Sequence, residues 1–156
     1  MIKILFVCHG NICRSTMAES ICMHIIKERG LMEKFSIDSA ATHSDEIGNP
    51  PHWGTRDKLK AKGIPLVPHR ARLMTRDDGE KFDLLIGMDE ANRKNMKRIV
   101  GEKNAGKVKL LLDYTARPRP IADPWYTGDF EETYRDVTAG LNALLYELEK
   151  IENIKF

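Results

Sequence analysis

Cys8 and Arg14 are separated by five residues, with Gly10 and Asn11 between them and Ser15 directly after. A thiol and a guanidinium at this spacing suit one kind of chemistry if the segment is a tight turn entering a helix. Inward-pointing amides at a helix start cradle an anion, and the helix dipole favours its charge. The planar fork of Arg14 then grips two oxygens of a tetrahedral oxyanion. Beneath that anion Cys8 sits where a positive field favours the thiolate. A thiolate under a held phosphate is a nucleophile aimed at phosphorus, so the expected chemistry is phosphoryl transfer through cysteine. Gly10 lets the backbone turn tightly and approach a ligand. Asn11 tolerates left-handed backbone and has an amide that pins the turn, and Ser15 offers a hydroxyl to Cys8.

Such a displacement needs a proton donor on the leaving oxygen. Ile121-Ala122-Asp123-Pro124-Trp125-Tyr126 supplies a carboxyl group, a stiff following residue, and two aromatics able to wall a slot for a phenol ring. On its own, Asp123-Pro124 reads as a turn starter.

The elements must bring these segments together. The apolar run Ile2 to Val7 predicts a strand, and Met17, Ile21 and Ile25 with Ala18, Cys22 and Ile26 predict a helix ending near Gly30. A short strand at Phe35–Ile37 leads into Asp38-Ser39-Ala40-Ala41-Thr42, and His43 to Trp53 is a polar, turn-rich surface loop. A helix is expected from about Thr55 to Lys62, stopping at Gly63. The piece Pro65 to Asp78 is rich in charge and contains His69-Arg70-Ala71-Arg72. Phe82 to Met88 reads as a strand covered on both faces, Asp89-Glu90 open a basic helix, and Val108 to Leu112 is a fourth strand. Asp129 with Glu132 resembles a capping box. Phe130, Tyr134, Val137, Leu141, Leu144, Leu148 and Ile151 then mark one face of a long final helix.

This alternation predicts an α/β fold with βαβ units, a mostly parallel doubly wound sheet and helices on both faces. Residues 1–156 are expected to form one domain, and its four strands are expected in the order 2-1-3-4, with the first strand interior. An interior first strand puts its carboxyl end, and the Cys8 turn, at the topological switch point where such sheets bind ligands.

The chain has 156 residues, 42% hydrophobic and 31% charged, with a formal charge of +2. That near-balance points to neither nucleic acid nor membrane as partner, and no apolar run approaches the roughly 20 residues of a bilayer span. With no signal-peptide pattern at the N-terminus, a cytoplasmic protein is expected. Cys8, Cys13 and Cys22 crowd into the first 22 residues, a poor disulfide framework, and no second ligand pair follows to complete a zinc site. Cys22 reads as packing. Cys13 either fills space or forms a reversible link to an oxidised Cys8 that spares it from over-oxidation, and the sequence leaves both open. Gly101 to Lys107 nearly matches a nucleotide-binding loop but has Val108 in place of the metal-binding hydroxyl. It also follows a helix and precedes a strand, the reverse of the required order. Arg117 and Arg119 read as solvated charges, with recognition of acidic phosphopeptides as the alternative.

Taken together, Val7-Cys8-His9-Gly10-Asn11-Ile12-Cys13-Arg14-Ser15 with Met17-Ala18-Glu19, Asp38-Ser39-Ala40-Ala41-Thr42, Glu46-Ile47-Gly48-Asn49-Pro50-Pro51, His69-Arg70-Ala71-Arg72, Phe82-Asp83, Met88-Asp89-Glu90-Ala91-Asn92 and Asp123-Pro124-Trp125-Tyr126 resemble the low-molecular-weight protein tyrosine phosphatases over most of the chain. The resemblance implies a phosphatase acting on phosphotyrosine proteins or small aryl phosphates, without cofactor or metal, as a monomer or weak dimer. It implies Cys8 as nucleophile and Asp123 as acid and then base. It also implies a phosphate-binding loop of His9, Gly10, Asn11, Ile12, Cys13, Arg14 and Ser15, propped by Asn11, Ser15, Ser39 and His69. Ile12, Asp45, Trp53, Trp125 and Tyr126 are the pocket candidates. Asp45 stands where many relatives have an aromatic residue, and Trp125 where Tyr is common, so the wall is expected to be either partly open or partly rebuilt by Trp53. The arsenate reductases of this fold need later thiols, and nothing after Cys22 is a cysteine. Phosphoarginine phosphatases of the family tend to carry Thr at the Ile12 position. A binding-only adaptor would be expected to lack Cys8 or Asp123.

Overall fold

Successive side chains of a strand point to opposite faces, and Ile2–Cys8 is apolar at nearly every position. In the computed structural model, which describes residues 1–152, this run is the strand β1. Ile4, Phe6 and Cys8 enter one core, and Leu5 and Val7 another. Residues 153–156 of the expected single domain lie outside the described range.

After β1 come α1 (Arg14–Glu28), β2 (Phe35–Ala41), α2 (Trp53–Ala61), α3 (Arg76–Lys81), β3 (Leu84–Gly87), α4 (Glu90–Val100), β4 (Val108–Leu110), α5 (Pro124–Thr127) and α6 (Phe130–Glu152). The four strands pair in parallel, as the alternation of elements predicts, and in the expected order β2-β1-β3-β4. Met17 and Ile21 of α1, Leu59 of α2, and Val137, Leu141 and Leu144 of α6 cover one face. Met96 and Val100 of α4, with Met74 and Phe82, cover the other. Burying a side chain of this size contributes about 1.5–3 kcal/mol, so both faces hold β1 in place. No helix among the described residues is long and apolar enough to cross a membrane.

Several boundaries differ from the sequence expectation, each for a local reason. β4 ends at Leu110 instead of Leu112, because Asp113 Oδ2 accepts the Leu110 amide at 2.9 Å and turns residues 111–114 into a 3-10 helix. α2 starts at Trp53, capped by His52 Nδ1 on the Gly54 amide at 3.0 Å. Gly54 is required there: a Cβ would stand 2.4 Å from the Phe130 ring of α6. α3 begins in the charged stretch that ends at Asp78 and runs on to Lys81; Asp78 Oδ2 accepts the Thr75 amide at 2.8 Å. Ile151 is 70% exposed, so the apolar face of α6 ends at Leu148. Lys107, the lysine of the near-match to a nucleotide loop, donates to the carbonyls of Gly79 and Phe82 at 2.7 and 3.1 Å and serves as a tie between segments.

Candidate active site

The turn from Cys8 to Arg14 joins β1 to α1 at the carboxyl edge of the sheet. Four of its carbonyls are engaged outside the turn. Cys8 O accepts from Thr42 N at 3.0 Å, His9 O from His43 N at 3.1 Å, and Ile12 O from His52 N at 2.8 Å. Cys13 O accepts from Met17 N and from the Thr55 hydroxyl. The amides of Gly10, Asn11, Ile12 and Cys13, by contrast, donate to no group among the described residues. A run of unpartnered N–H groups leading into a helix is an anion-binding arrangement.

Asn11 makes the turn. Its φ of 60° is the one positive value among the described non-glycine residues, in a region where asparagine is enriched. Gly10 adopts no positive φ; its Cβ position lies 3.3 Å from Glu46 Cγ, so there the glycine accommodates a close neighbour. Asn11 is fully buried, and its amide donates to Ser15 Oγ at 2.8 Å and Ser39 Oγ at 2.9 Å. Its carbonyl oxygen accepts from His69 Nε2 at 2.6 Å and from Arg72 N at 3.1 Å, which assigns the His69 proton to Nε2. Ser15 Oγ, already accepting from Asn11, has its own proton for Cys8 Sγ at 3.1 Å. The expected props Asn11, Ser15, Ser39 and His69 thus form one connected set. Ser39 passes it on to buried Glu19, 2.6 Å away. Burial raises Glu19 to about 7 against the opposing Ser39 hydrogen bond, and burial lowers His69 from its ordinary value.

Arg14 is 2% exposed. Nη1 donates to Asp89 Oδ2 at 2.6 Å and to the Ile121 carbonyl at 3.0 Å, and Nη2 reaches Asp123 Oδ2 at 3.3 Å. Burial disfavours its charge, but Cys8, Asp89 and Asp123 outweigh that and raise its pKa. Nε is buried without a partner among the described residues. An orphaned buried guanidinium N–H fits an anionic ligand, because leaving it unmet is costly. Asp123 is also the turn starter: its Oδ1 caps α5 by accepting the Trp125 amide at 3.1 Å.

Cys8, His9, Gly10, Ile12 and Cys13 line one cavity with Asp123, Trp125 and Tyr126, and with Asp45 and Glu46 from the segment after β2. Trp53 is not among the lining residues. It is 62% exposed and packs near His52 and Phe130, because α2 begins there and turns it away. Cys13 faces the cavity as a buried thiol whose pKa is pushed up, first by burial and then by the charges of Cys8 and Asp123. Asp89, Glu19 and Glu46 are site residues to which sequence reasoning assigns no role. The signal for Asp89 is its place as an acidic residue at the carboxyl end of a strand, the edge where the cavity opens.

A family model described as low molecular weight phosphotyrosine protein phosphatase matches residues 3–153. The low molecular weight protein-tyrosine-phosphatase YfkJ of Bacillus subtilis is 41% identical over 152 residues, covering 96% of this chain and 97% of that one. Its crystal structure matches with a TM-score of 0.93 over 96% of each chain. The low molecular weight phosphotyrosine protein phosphatase of Homo sapiens is 37% identical, covering 92% of this chain and 93% of that one. The crystal structure of a drosophila arginine phosphatase, 29% identical, matches with a TM-score of 0.86 over 95% of this chain and 98% of that one.

Proposed function

The chain belongs to the low molecular weight phosphotyrosine protein phosphatase family, and on that premise we propose that it hydrolyses phosphotyrosine and other aryl phosphates through a phosphocysteine intermediate. The observation that carries this reading is the meeting of Cys8 and Asp123 on one cavity, with Arg14 bonded to Asp123.

Asp89 and the Ile121 carbonyl hold Nη1 and so fix the plane of Arg14, which turns Nε and Nη2 toward phosphoryl oxygens. The unpartnered amides of residues 10–13 take the remaining charge. The Cys8 thiolate, steadied by the Ser15 hydroxyl, attacks phosphorus as the P–O bond to the aryl group breaks. Protonated Asp123 gives its proton to the departing oxygen. A water then attacks the phosphocysteine, Asp123 takes its proton, the P–S bond breaks, and inorganic phosphate and the Cys8 thiolate result. Trp125 and Tyr126 wall the aryl ring, and Ile12 fills the position that the arginine phosphatases tend to give to Thr, which favours phosphotyrosine. The substrates are phosphotyrosine-bearing proteins or small aryl phosphates, and residues 1–156 act as one catalytic domain.

The test compares p-nitrophenyl phosphate, a phosphotyrosine peptide and a phosphoarginine peptide in the presence of a chelator. Turnover of the two aryl substrates is expected, with none by Cys8→Ser, which retains binding of inorganic phosphate. An unchanged rate in Cys8→Ser removes the mechanism.

A further inference from the structure

The cavity mouth is acidic. Three lining residues, Asp45, Glu46 and Asp123, are carboxylates, and none is Lys or Arg. Asp123 is turned to Arg14, but Asp45 is not drawn inward. The Asp45 side chain is 63% exposed, and its one partner among the described residues is His9, whose Nε2 lies 2.6 Å from Oδ2. His9 is held in turn by the continued pairing of the segments after β1 and β2, where His43 N donates to His9 O and the two imidazoles stack at 4.1 Å. The carboxylate is therefore positioned at the rim with one oxygen still available. Glu46 is next to it, fixed by Asn49 Nδ2 at 2.6 Å.

The same rim includes Trp125 and Tyr126, 56% and 84% exposed, from α5. Exposed aromatic faces attract cations, and so do exposed carboxylates. Two segments distant in sequence thus present surfaces that favour the same charge. The arginines that the sequence offers for acidic peptides are elsewhere. Arg119 pairs with Asp136 of α6 at 3.0 Å, and both Arg117 and Arg119 line a separate depression beside Ala139.

We infer that Asp45 and Glu46, together with the rings of Trp125 and Tyr126, select phosphotyrosine substrates that carry an arginine or lysine beside the phosphorylated residue. The inference rests on the phosphatase reading above and names the substrate class of that site. His9 holds one oxygen of Asp45 at the rim, while the free oxygen takes a guanidinium or ammonium group from the flanking residue.

The experiment measures kcat/KM for phosphotyrosine peptides of identical composition, with arginine either adjacent to the phosphotyrosine on each side in turn or moved to the peptide end. p-Nitrophenyl phosphate is run alongside. An exposed ion pair with an exposed cation–π contact gives a preference of about three- to tenfold for adjacent arginine. That preference shrinks at about 1 M salt, where the Debye length falls to about 3 Å. Asp45→Asn lowers the adjacent-to-remote ratio, and Asp45→Lys brings it to one or below. A ratio near one in the wild-type enzyme, or a ratio unmoved by both substitutions, overturns the inference while p-nitrophenyl phosphate is still hydrolysed. Failure to hydrolyse p-nitrophenyl phosphate overturns the phosphatase reading itself.

Discussion

Arg14 Nη2 stands 3.3 Å from Asp123 Oδ2, although the two residues are 109 positions apart in the chain. The contact joins the start of α1 to the start of α5 across the carboxyl edge of the sheet. Asp123 is bound twice, by Arg14 on one oxygen and by the Trp125 amide on the other, which holds it at the cavity before substrate arrives.

Asp123→Asn keeps an oxygen for the Trp125 amide and removes the ionisable carboxyl proton. If Asp123 is the acid, kcat falls by about 10²–10⁴ with phosphotyrosine. The loss is much smaller with p-nitrophenyl phosphate, whose leaving group departs readily without a proton. Equal losses with both substrates, measured by steady-state kinetics, would assign Asp123 a positioning role instead.

Asn11→Ala removes the acceptor of His69 Nε2 and Arg72 N and the donor to Ser15 and Ser39. Each buried group left unpaired costs about 1–3 kcal/mol, and alanine at a φ of 60° costs about 1–2 kcal/mol more. A destabilisation of at least about 3 kcal/mol is expected in urea unfolding, with a fall in kcat as Ser15 loses its orientation. Asn11→Gly relieves the backbone alone, so it recovers about 1 kcal/mol of that loss and little of the activity. Full recovery of activity by glycine would show that the turn needs only its backbone angle.

Much of this arrangement is legible in the residues alone. The continuous apolar run of β1 and the alternation of elements are short-range patterns, and they lead to the parallel sheet; with β1 placed in its interior, the Cys8 turn falls at the switch point. Asp89 and Glu19 are not legible as site residues because their roles depend on contacts 75 and 20 positions away, with Arg14 and Ser39. Asp89 reads as the acidic start of α4, and it is that cap too, accepting the Asn92 amide at 2.8 Å. Trp53 misleads for the opposite reason. An aromatic residue near the pocket segment looks like a wall, but the His52 cap begins a helix there and directs the ring to solvent.

Burial raises Glu19 from 4.5 to about 7, so between those values the folded protein keeps a proton that the unfolded chain has released. The contribution is therefore fully present below pH 4.5 and is lost as pH rises through 7. The whole shift corresponds to about 3 kcal/mol. His69, lowered by burial, works in the other direction: its contribution is lost as pH falls through its folded value. Unfolding free energies of wild type and Glu19→Gln, which keeps an acceptor for Ser39, isolate the glutamate. From pH 4.5 to 7.5 the wild type loses up to about 3 kcal/mol relative to the variant. A constant difference across that range would mean that Glu19 is ionised throughout.

Cys13 lines the cavity beside Cys8, and burial keeps its thiol protonated. A protonated neighbour does not compete as nucleophile toward phosphorus, and oxidation of Cys8 to a neutral sulfenic acid removes one of the charges that hold the Cys13 thiol protonated. Mild peroxide converts the Cys8 thiolate to sulfenic acid; condensation with the Cys13 thiol then forms the S–S bond and releases water. Peptide mass spectrometry is expected to show a Cys8–Cys13 link that dithiothreitol reverses with return of activity. In Cys13→Ser the same treatment carries Cys8 on to sulfinic acid, and reductant restores nothing. Sulfinic acid at Cys8 of the wild-type protein with no link to Cys13 would leave Cys13 as a packing residue, as its burial alone allows.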